Sequence, residues 1–367
     1  NSRWRVICID RGDQSASLRF AMNVQYSARN SAAPIEKTLH LDEQDLTLNS
    51  KSQVATLMST VSLSVHENSV FLASLGRKNN GTQAVLTVWE LSINDAKCTS
   101  DSIRAKTVRN AVFFVAADST LTMGFIANKN IEDGISPCSC AVVIGASFSP
   151  TSRSSENMVQ EPNALRVFPL NHYGGAVRVD DDAGEASTLP VGTCLPRDCV
   201  GICSLVDCES RSRIAALALV RDKEMRSNVR WHLCVWVCSS EPRSLPLQLE
   251  DSVSLKLPCL DLNREHEYSN GICCWVSDES SLERGGAIAI AVGRRVFVYA
   301  KSTAVRPPVS ECWICIASYS DDPSSSLCLP PAQATAICAH QSSGCIVLAC
   351  EDEICVISGT ACVFNKS

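Results

Sequence analysis

The chain has 367 residues, 45% hydrophobic and 20% charged, with 39 acidic against 33 basic side chains and a formal net charge of −6. That composition excludes a disordered chain. The acidic balance argues against general nucleic-acid binding, which needs a basic excess or a basic stripe, and no sequence-specific nucleic-acid contact is expected. Length alone suggests two domains, but one all-β domain of this size is also ordinary.

The first predicted strand is Trp4 to Ile9. It has no preceding partner and is expected to complete the last sheet of a closed ring. Residues 29–53 are polar, carry Asp42-Glu43-Gln44-Asp45, and read as a surface insertion. Three strands follow at Val61–Val65, Val70–Leu75 and Ala84–Leu91, the last two joined through Asn80-Gly81, a type I′ turn signal. Asn110–Val115, Cys140–Ile144 and Leu165–Phe168 are candidate strands of two further sheets. Residues 147–162 and the acidic stretch around Asp180-Asp181-Asp182 read as loops.

The three-strand phrase of residues 61–91 recurs. One copy is Val200–Leu205, Ile214–Val220 and Trp231–Cys238. Another is Gly271–Val276, Ala287–Val292, the short turn Gly293-Arg294, and Arg295–Tyr299. The clearest is Thr335–His340, the turn Gln341–Gly344, Cys345–Cys350, then Ile354–Ser358. The third strands centre near residues 88, 236, 297 and 356. The last three lie about 60 residues apart, a length that fits one four-stranded blade with its loops.

The phrases Leu86-Thr87-Val88-Trp89-Glu90, Leu233-Cys234-Val235-Trp236 and Ile354-Cys355-Val356-Ile357 each follow a strand of small residues. In this rhythm the chain resembles a degenerate β-propeller of the WD-repeat-like kind. It departs from that pattern in having Glu90 and Val237 after the tryptophans, and no glycine-histidine pair. The resemblance implies an all-β fold: one propeller over residues 1–367, seven-bladed with six as the alternative, built of four-stranded antiparallel blades. It also implies an interaction platform whose partners are other protein subunits of a larger assembly of the trafficking, coat, pore or ribosome-assembly kind. The alternative is a reader or substrate receptor that takes a peptide or modified residue at the channel.

The 21 cysteines are concentrated after residue 130. Most sit inside apolar runs, as in Leu233–Cys238, where a reduced cysteine serves as a small hydrophobe. With no secretory h-region at Asn1–Val6, the expectation is an intracellular protein, cytoplasmic or nuclear, with reduced thiols, and a chain that is part of something longer. No run of about 18 apolar residues predicts a transmembrane helix, so any membrane association would be peripheral.

Several motifs carry possible chemistry, each beside a plainer reading. Cys312-Trp313-Ile314-Cys315 is a C-x-x-C, but it lies in an alternating strand and opens no helix. Zinc would need that pair joined by another, such as Cys138/Cys140 or Cys199/Cys203, with Cys194 nearby. A cysteine nucleophile would need one of His40, His66, His172, His232, His266 or His340, and no protease signature accompanies them. His340 reads as a structural turn residue. Arg11-Gly12-Asp13 reads as a turn, and Gly174-Gly175 and Gly285-Gly286 are not phosphate loops. Arg3, Arg5 and Arg11, and separately Arg211, Arg213, Arg221 and Lys223, form small basic patches, read as solvated faces with an anionic lipid or partner as the alternative. No catalytic, cofactor-binding or metal-ligating residue is assigned.

Overall fold

The computed structural model describes residues 3–11, 19–27, 35–42, 60–66, 69–78, 82–93, 103–115, 119–127, 140–147, 165–170, 187–188, 195–196, 198–208, 213–222, 228–238, 247–255, 260–261, 271–277, 286–293, 295–301, 313–319, 333–340, 344–350 and 353–357. Among these residues every regular element is a strand, every strand pairing is antiparallel, and no helix is long and apolar enough to cross a membrane. The strands group into two compact units, one of Asn1–Ala117 with Arg178–Ala186, the other of Asp118–Val177 with Ser187–Ser367.

The first unit holds two sheets. One is β1 (Arg3–Arg11), β2 (Arg19–Ser27) and β3 (Ile35–Asp42). The other is β4 (Thr60–His66), β5 (Ser69–Lys78), β6 (Gln83–Ile93) and β7 (Ile103–Phe114). The Lys37 ammonium donates to the Ile103 carbonyl at 3.2 Å and ties β3 to β7.

Four sequence expectations change here. β1 does not complete a distant sheet. It pairs with β2 along its length, from Arg3 opposite Ser27 to Arg11 opposite Phe20. The polar segment 29–53 is not all insertion, because Ile35–Asp42 is β3. Its Ile35, Leu39 and Leu41 alternate with Glu36, Thr38 and His40, and Leu39 is buried; this is the period-2 signature of a half-buried strand. Asn110–Val115 starts no new sheet, since Asn110–Phe114 belong to β7, the fourth strand beside β6. The β5–β6 hairpin closes on Lys78 and Gln83, so its loop has four residues where a two-residue type I′ turn was expected. Asn80 and Gly81 themselves lie outside the described residues.

The second unit holds four sheets. The first is β8 (Thr120–Ala127), β9 (Cys140–Ser147), β10 (Leu165–Leu170) and β11 (Ser187–Thr188). The second is β12 (Cys199–Asp207), β13 (Arg213–Arg221), β14 (Asn228–Cys238) and β15 (Leu247–Ser254), with β16 (Leu260–Asp261) beside the start of β14. The third is β17 (Gly271–Ser277), β18 (Ala287–Val292), β19 (Arg295–Lys301) and β20 (Trp313–Tyr319). The last is β21 (Ala334–His340), β22 (Cys345–Cys350) and β23 (Glu353–Ile357). Each of the four repeated phrases thus falls on the first three strands of a sheet. Asp180–Asp182 and residues 148–162 lie outside the described residues.

Within this unit the sheets pack face to face in chain order. Val143, Leu165 and Val167 of the first meet Ile214, Ala216 and Trp236 of the second. Ala215, Leu217, Trp231 and Val235 use the opposite face of that second sheet and meet Ile288, Ile290 and Trp313 of the third. Ala287, Ala289 and Val298 then meet Ile346, Leu348 and Ile357 of the last. Successive residues of a strand point to opposite faces. A strand buried on both faces must therefore be apolar at every position, as Ile214–Ala218 and Ala287–Val292 are. Close approach explains the small residues. A Cβ on Gly145 would lie 2.8 Å from the Ile202 Cβ, and one on Gly271 would lie 2.7 Å from the Trp231 ring.

One irregularity repeats. Between third and fourth strands the register slips at Val88/Trp89, at Val235/Trp236 and at Val298/Tyr299, each time leaving one extra residue on the fourth strand. These dipeptides sit at matching positions of the repeated phrase. A bulge at a fixed place in three sheets marks one structural unit used repeatedly.

Candidate functional site

Within the second unit the first strands form one seam. β12 lies beside β8 and β9, β17 beside β12, and β21 beside β17. Small hydroxyls bridge them. Thr122 Oγ1 on β8 accepts the Leu205 N–H of β12 at 2.9 Å, and Ser204 Oγ on β12 accepts the Cys273 N–H of β17 at 3.2 Å. The Trp275 indole N–H then donates to the Val206 carbonyl at 3.1 Å. Each bond uses a backbone group or a buried polar atom that would otherwise be costly to leave unpaired.

The outer strands carry an ionic strap. Glu250 is the extra residue of the β15 bulge, and a bulge re-aims its side chain. Its carboxylate accepts Arg213 Nε at 2.8 Å and Arg213 Nη2 at 3.1 Å from its own sheet, and Lys301 Nζ at 2.8 Å from the next. Asp251 Oδ2 takes Lys301 Nζ at 3.2 Å and the Trp313 indole N–H at 3.2 Å. Trp313 in turn stands edge-on to Trp275, with ring centroids 6.3 Å apart. Burial lowers the Lys301 pKa, but Glu250 and Asp251 outweigh it and the net direction is up. The strap therefore holds β15 to β19 and β20. Glu250→Gln is expected to cost about 1 kcal/mol, since these side chains are partly solvated, with the loss shrinking at high salt in urea melts.

Of the cysteines nominated for chemistry, Cys199 and Cys203 pack into the core. Burial pushes the Cys199 thiol up to about 11, against a weaker opposing bond to the Gly201 carbonyl, and pushes Cys203 to about 12. Cys273 rises to about 11, and Cys234 and Cys274 also shift upward, all chiefly by burial. Nucleophiles and metal ligands need the thiolate, which this environment disfavours. Cys199, Cys203, Cys234, Cys273, Cys274, Cys338, Cys350 and Cys355 are thiols outside any disulfide. Among the described residues no group of three or more His, Cys, Asp or Glu side chains is placed to hold a metal ion. Cys138, Cys194 and Cys312 lie outside those residues, Cys140 is placed only as the start of β9, and Cys315 sits exposed on β20. On native alkylation at neutral pH, Cys315 and Cys338 are expected to label quickly. Cys203, Cys234, Cys273 and Cys274 should label only on unfolding, as site-resolved mass spectrometry would show.

The other nominated groups are dispersed. Arg213 and Arg221 stand at opposite ends of β13, about 26 Å apart at strand rise, so they do not form one patch. Arg211 and Lys223 lie outside the described residues, and Arg3, Arg5 and Arg11 are placed only as positions of β1. Gly12, Asp13, Gly174, Gly175, Gly285, His172 and His266 also lie outside them. Gly286 leads into a strand, and its carbonyl accepts the Lys301 N–H. His340 ends β21, and its carbonyl accepts Gly344 N–H at 2.8 Å to close a turn in which Gly344 has φ 65°.

His232 is half-buried beside Ser252, with 3.5 Å between Nδ1 and the hydroxyl. Burial and then Arg230 lower its pKa from 6.5. The native state therefore binds this proton less readily than the unfolded chain, and stability falls as pH drops below about 6.5. His232→Gln should flatten that part of the pH dependence in urea titrations between about pH 7 and 5.

What the sequence did not single out is the forward face of the last sheet. Ala336, Cys338, Val347, Ala349, Ile354 and Val356 share it, in the rows Ala336–Ala349–Ile354 and Cys338–Val347–Val356. The equivalent valines Val88, Val235 and Val298 are 0% exposed, whereas Val356 is 58% and Ile354 76% exposed.

No protein-family model matches the chain, and no curated protein matches it. Among solved structures the chain is similar to a Penicillium chrysogenum alpha-L-arabinanase complexed with arabinobiose, at 10% identity and a TM-score of 0.38, over 93% of this chain and 89% of that one. It is also similar to the Vanderwaltozyma polyspora Nup133 β-propeller domain, at 10% identity and a TM-score of 0.39, over 94% and 91% of the two chains. Both TM-scores are below 0.5, so neither likeness bears on what this chain does. Its own geometry carries the reading that follows.

Proposed function

We propose that the six sheets are blades of one β-propeller, and that the chain is a non-enzymatic interaction scaffold within a multi-subunit assembly inside the cell. The radial reading is supported by first strands that adjoin in chain order within the second unit and by a bulge that recurs between third and fourth strands of three sheets. The non-enzymatic reading is supported by thiols that burial holds protonated. The observation that carries the scaffold reading is the run of stacked sheets in the second unit, whose interfaces are filled by apolar side chains and protonated thiols.

The test is purification of the native full-length protein at moderate salt, with partners identified and cross-links mapped by mass spectrometry. Stoichiometric partners cross-linked to this chain are the expected result. A monodisperse protein recovered alone would overturn the scaffold reading.

A further inference from the structure

The β21–β22 hairpin sets three metal-ligating side chains on one face of the last sheet. Ile346, Leu348 and Cys350 of β22, with Ile337 and Ala339 of β21, pack against the third sheet. Successive residues of a strand point to opposite faces, so Cys338, His340 and Cys345 share the forward face. His340 lies directly opposite Cys345, and Cys338, two residues back on β21, lies opposite Val347. The turn joining His340 to Cys345 is held by the His340 backbone, whose carbonyl accepts Gly344 N–H at 2.8 Å.

Residues directly opposite across two strands stand about 5 Å apart at Cβ, and residues two apart on one strand about 7 Å. Zinc takes thiolate sulfur at about 2.3 Å and imidazole nitrogen at about 2.0–2.1 Å, so three such neighbours can reach one tetrahedral ion. As placed, the three donors do not meet at one point. Cys338 and His340 are exposed and Cys345 is half-buried. Exposed side chains change rotamer within nanoseconds, and closing the site asks for such rotation over a backbone already in register. At the same register the third sheet has Cys274 opposite Ala289 and Ser277 opposite Ala287, one thiol and one hydroxyl where the last sheet has two thiols and an imidazole.

We infer that Cys338, His340 and Cys345 form a three-ligand zinc(II) site, with water completing the tetrahedron. Both thiols give up their protons to solvent as the metal binds, and the neutral imidazole supplies a nitrogen lone pair. Sulfur and nitrogen donors suit zinc, whereas magnesium and calcium take oxygen. This goes beyond the scaffold reading and does not depend on it.

The experiment uses the full chain, reduced and stripped of metal. Zinc(II) is titrated against a chromogenic chelator, and cobalt(II) replaces it for spectroscopy. The expected result is one zinc equivalent whose affinity falls at least about tenfold in each of Cys338→Ser, Cys345→Ser and His340→Gln. Cys315→Ser, at another exposed cysteine, should leave it unchanged. Cobalt should give the visible bands of a tetrahedral ion with thiolate ligands. Thermal melting confirms that each variant folds. The unaltered chain gives a second measurement: zinc should slow alkylation of Cys338 and Cys345 at least about tenfold, because the bound sulfur is no longer a free nucleophile, and chelation should restore it.

A folded chain that binds no zinc would overturn the inference. So would binding indifferent to the three substitutions, cysteine-dependent binding indifferent to His340→Gln, or zinc that leaves Cys338 and Cys345 open to alkylation.

Discussion

Trp236→Ala is expected to destabilise the second unit by about 3–5 kcal/mol. The indole is fully buried and belongs to the cluster shared by the β8–β11 and β12–β15 sheets. Truncation leaves a cavity between two sheets, and the strands on either side are held by complete ladders, so the site cannot collapse to fill it. Trp231, five residues earlier on the same strand, is buried in the other direction, among the β17–β20 side chains. Trp231→Ala should cost a similar amount. Because the two cavities lie on opposite faces of one sheet, the double variant should lose nearly the sum. Urea denaturation of the three variants measures this, and a strongly sub-additive double variant would mean that the two tryptophans share one cluster.

Ala289→Asp is expected to cost about 3–5 kcal/mol, since it puts an unpaired carboxyl into a site without solvent. Ala289 is fully buried between the third and last sheets of the unit. Val347→Asp is the contrasting case. Val347 holds the matching position on the second strand of the last sheet, opposite Val356, but that face is partly exposed. Its substitution should cost about 1 kcal/mol or less in the isolated chain. Equal losses for both variants in the isolated chain would mean that the last sheet's forward face is covered within the chain itself.

Strand rhythm was legible because sheets buried on both faces impose unbroken apolar runs. Ala287–Val292 could hardly be anything but an interior strand. The repeated phrases located first, second and third strands for the same reason. Fourth strands were harder to read. β15, Leu247–Ser254, is polar at every second residue and interrupted by a bulge, so it resembles a loop in sequence. β3 was hidden by its charges, since Glu36 and Lys37 mask the alternation of Ile35, Leu39 and Leu41. β1 pairs with the next strand, β2, whose Arg19–Ser27 mixes polar and apolar residues and was not read as a strand, so β1 was expected to find a distant partner.

The candidate surface was less legible than the fold. Ile354-Cys355-Val356-Ile357 has the same letters as a buried third strand. Among the described residues it differs from Val296–Tyr299 in the exposure of Ile354 and Val356. The cysteines were more legible. Most sit in apolar runs, which points to core-filling thiols, and Cys203, Cys234, Cys273 and Cys274 fill sheet interfaces in that way.

Within the second unit the sheets stack in chain order, each with two distinct faces. Methyl-labelled nuclear Overhauser spectroscopy on the isolated chain tests this most directly. Ile214, Ala216 and Ala218 should contact methyl groups of Val143, Leu165 and Val167, while Ala215 and Leu217 contact those of Ile288 and Ile290. Odd and even residues of β13 reporting on the same neighbouring sheet would contradict the stacked arrangement, and with it the propeller and scaffold readings built on it.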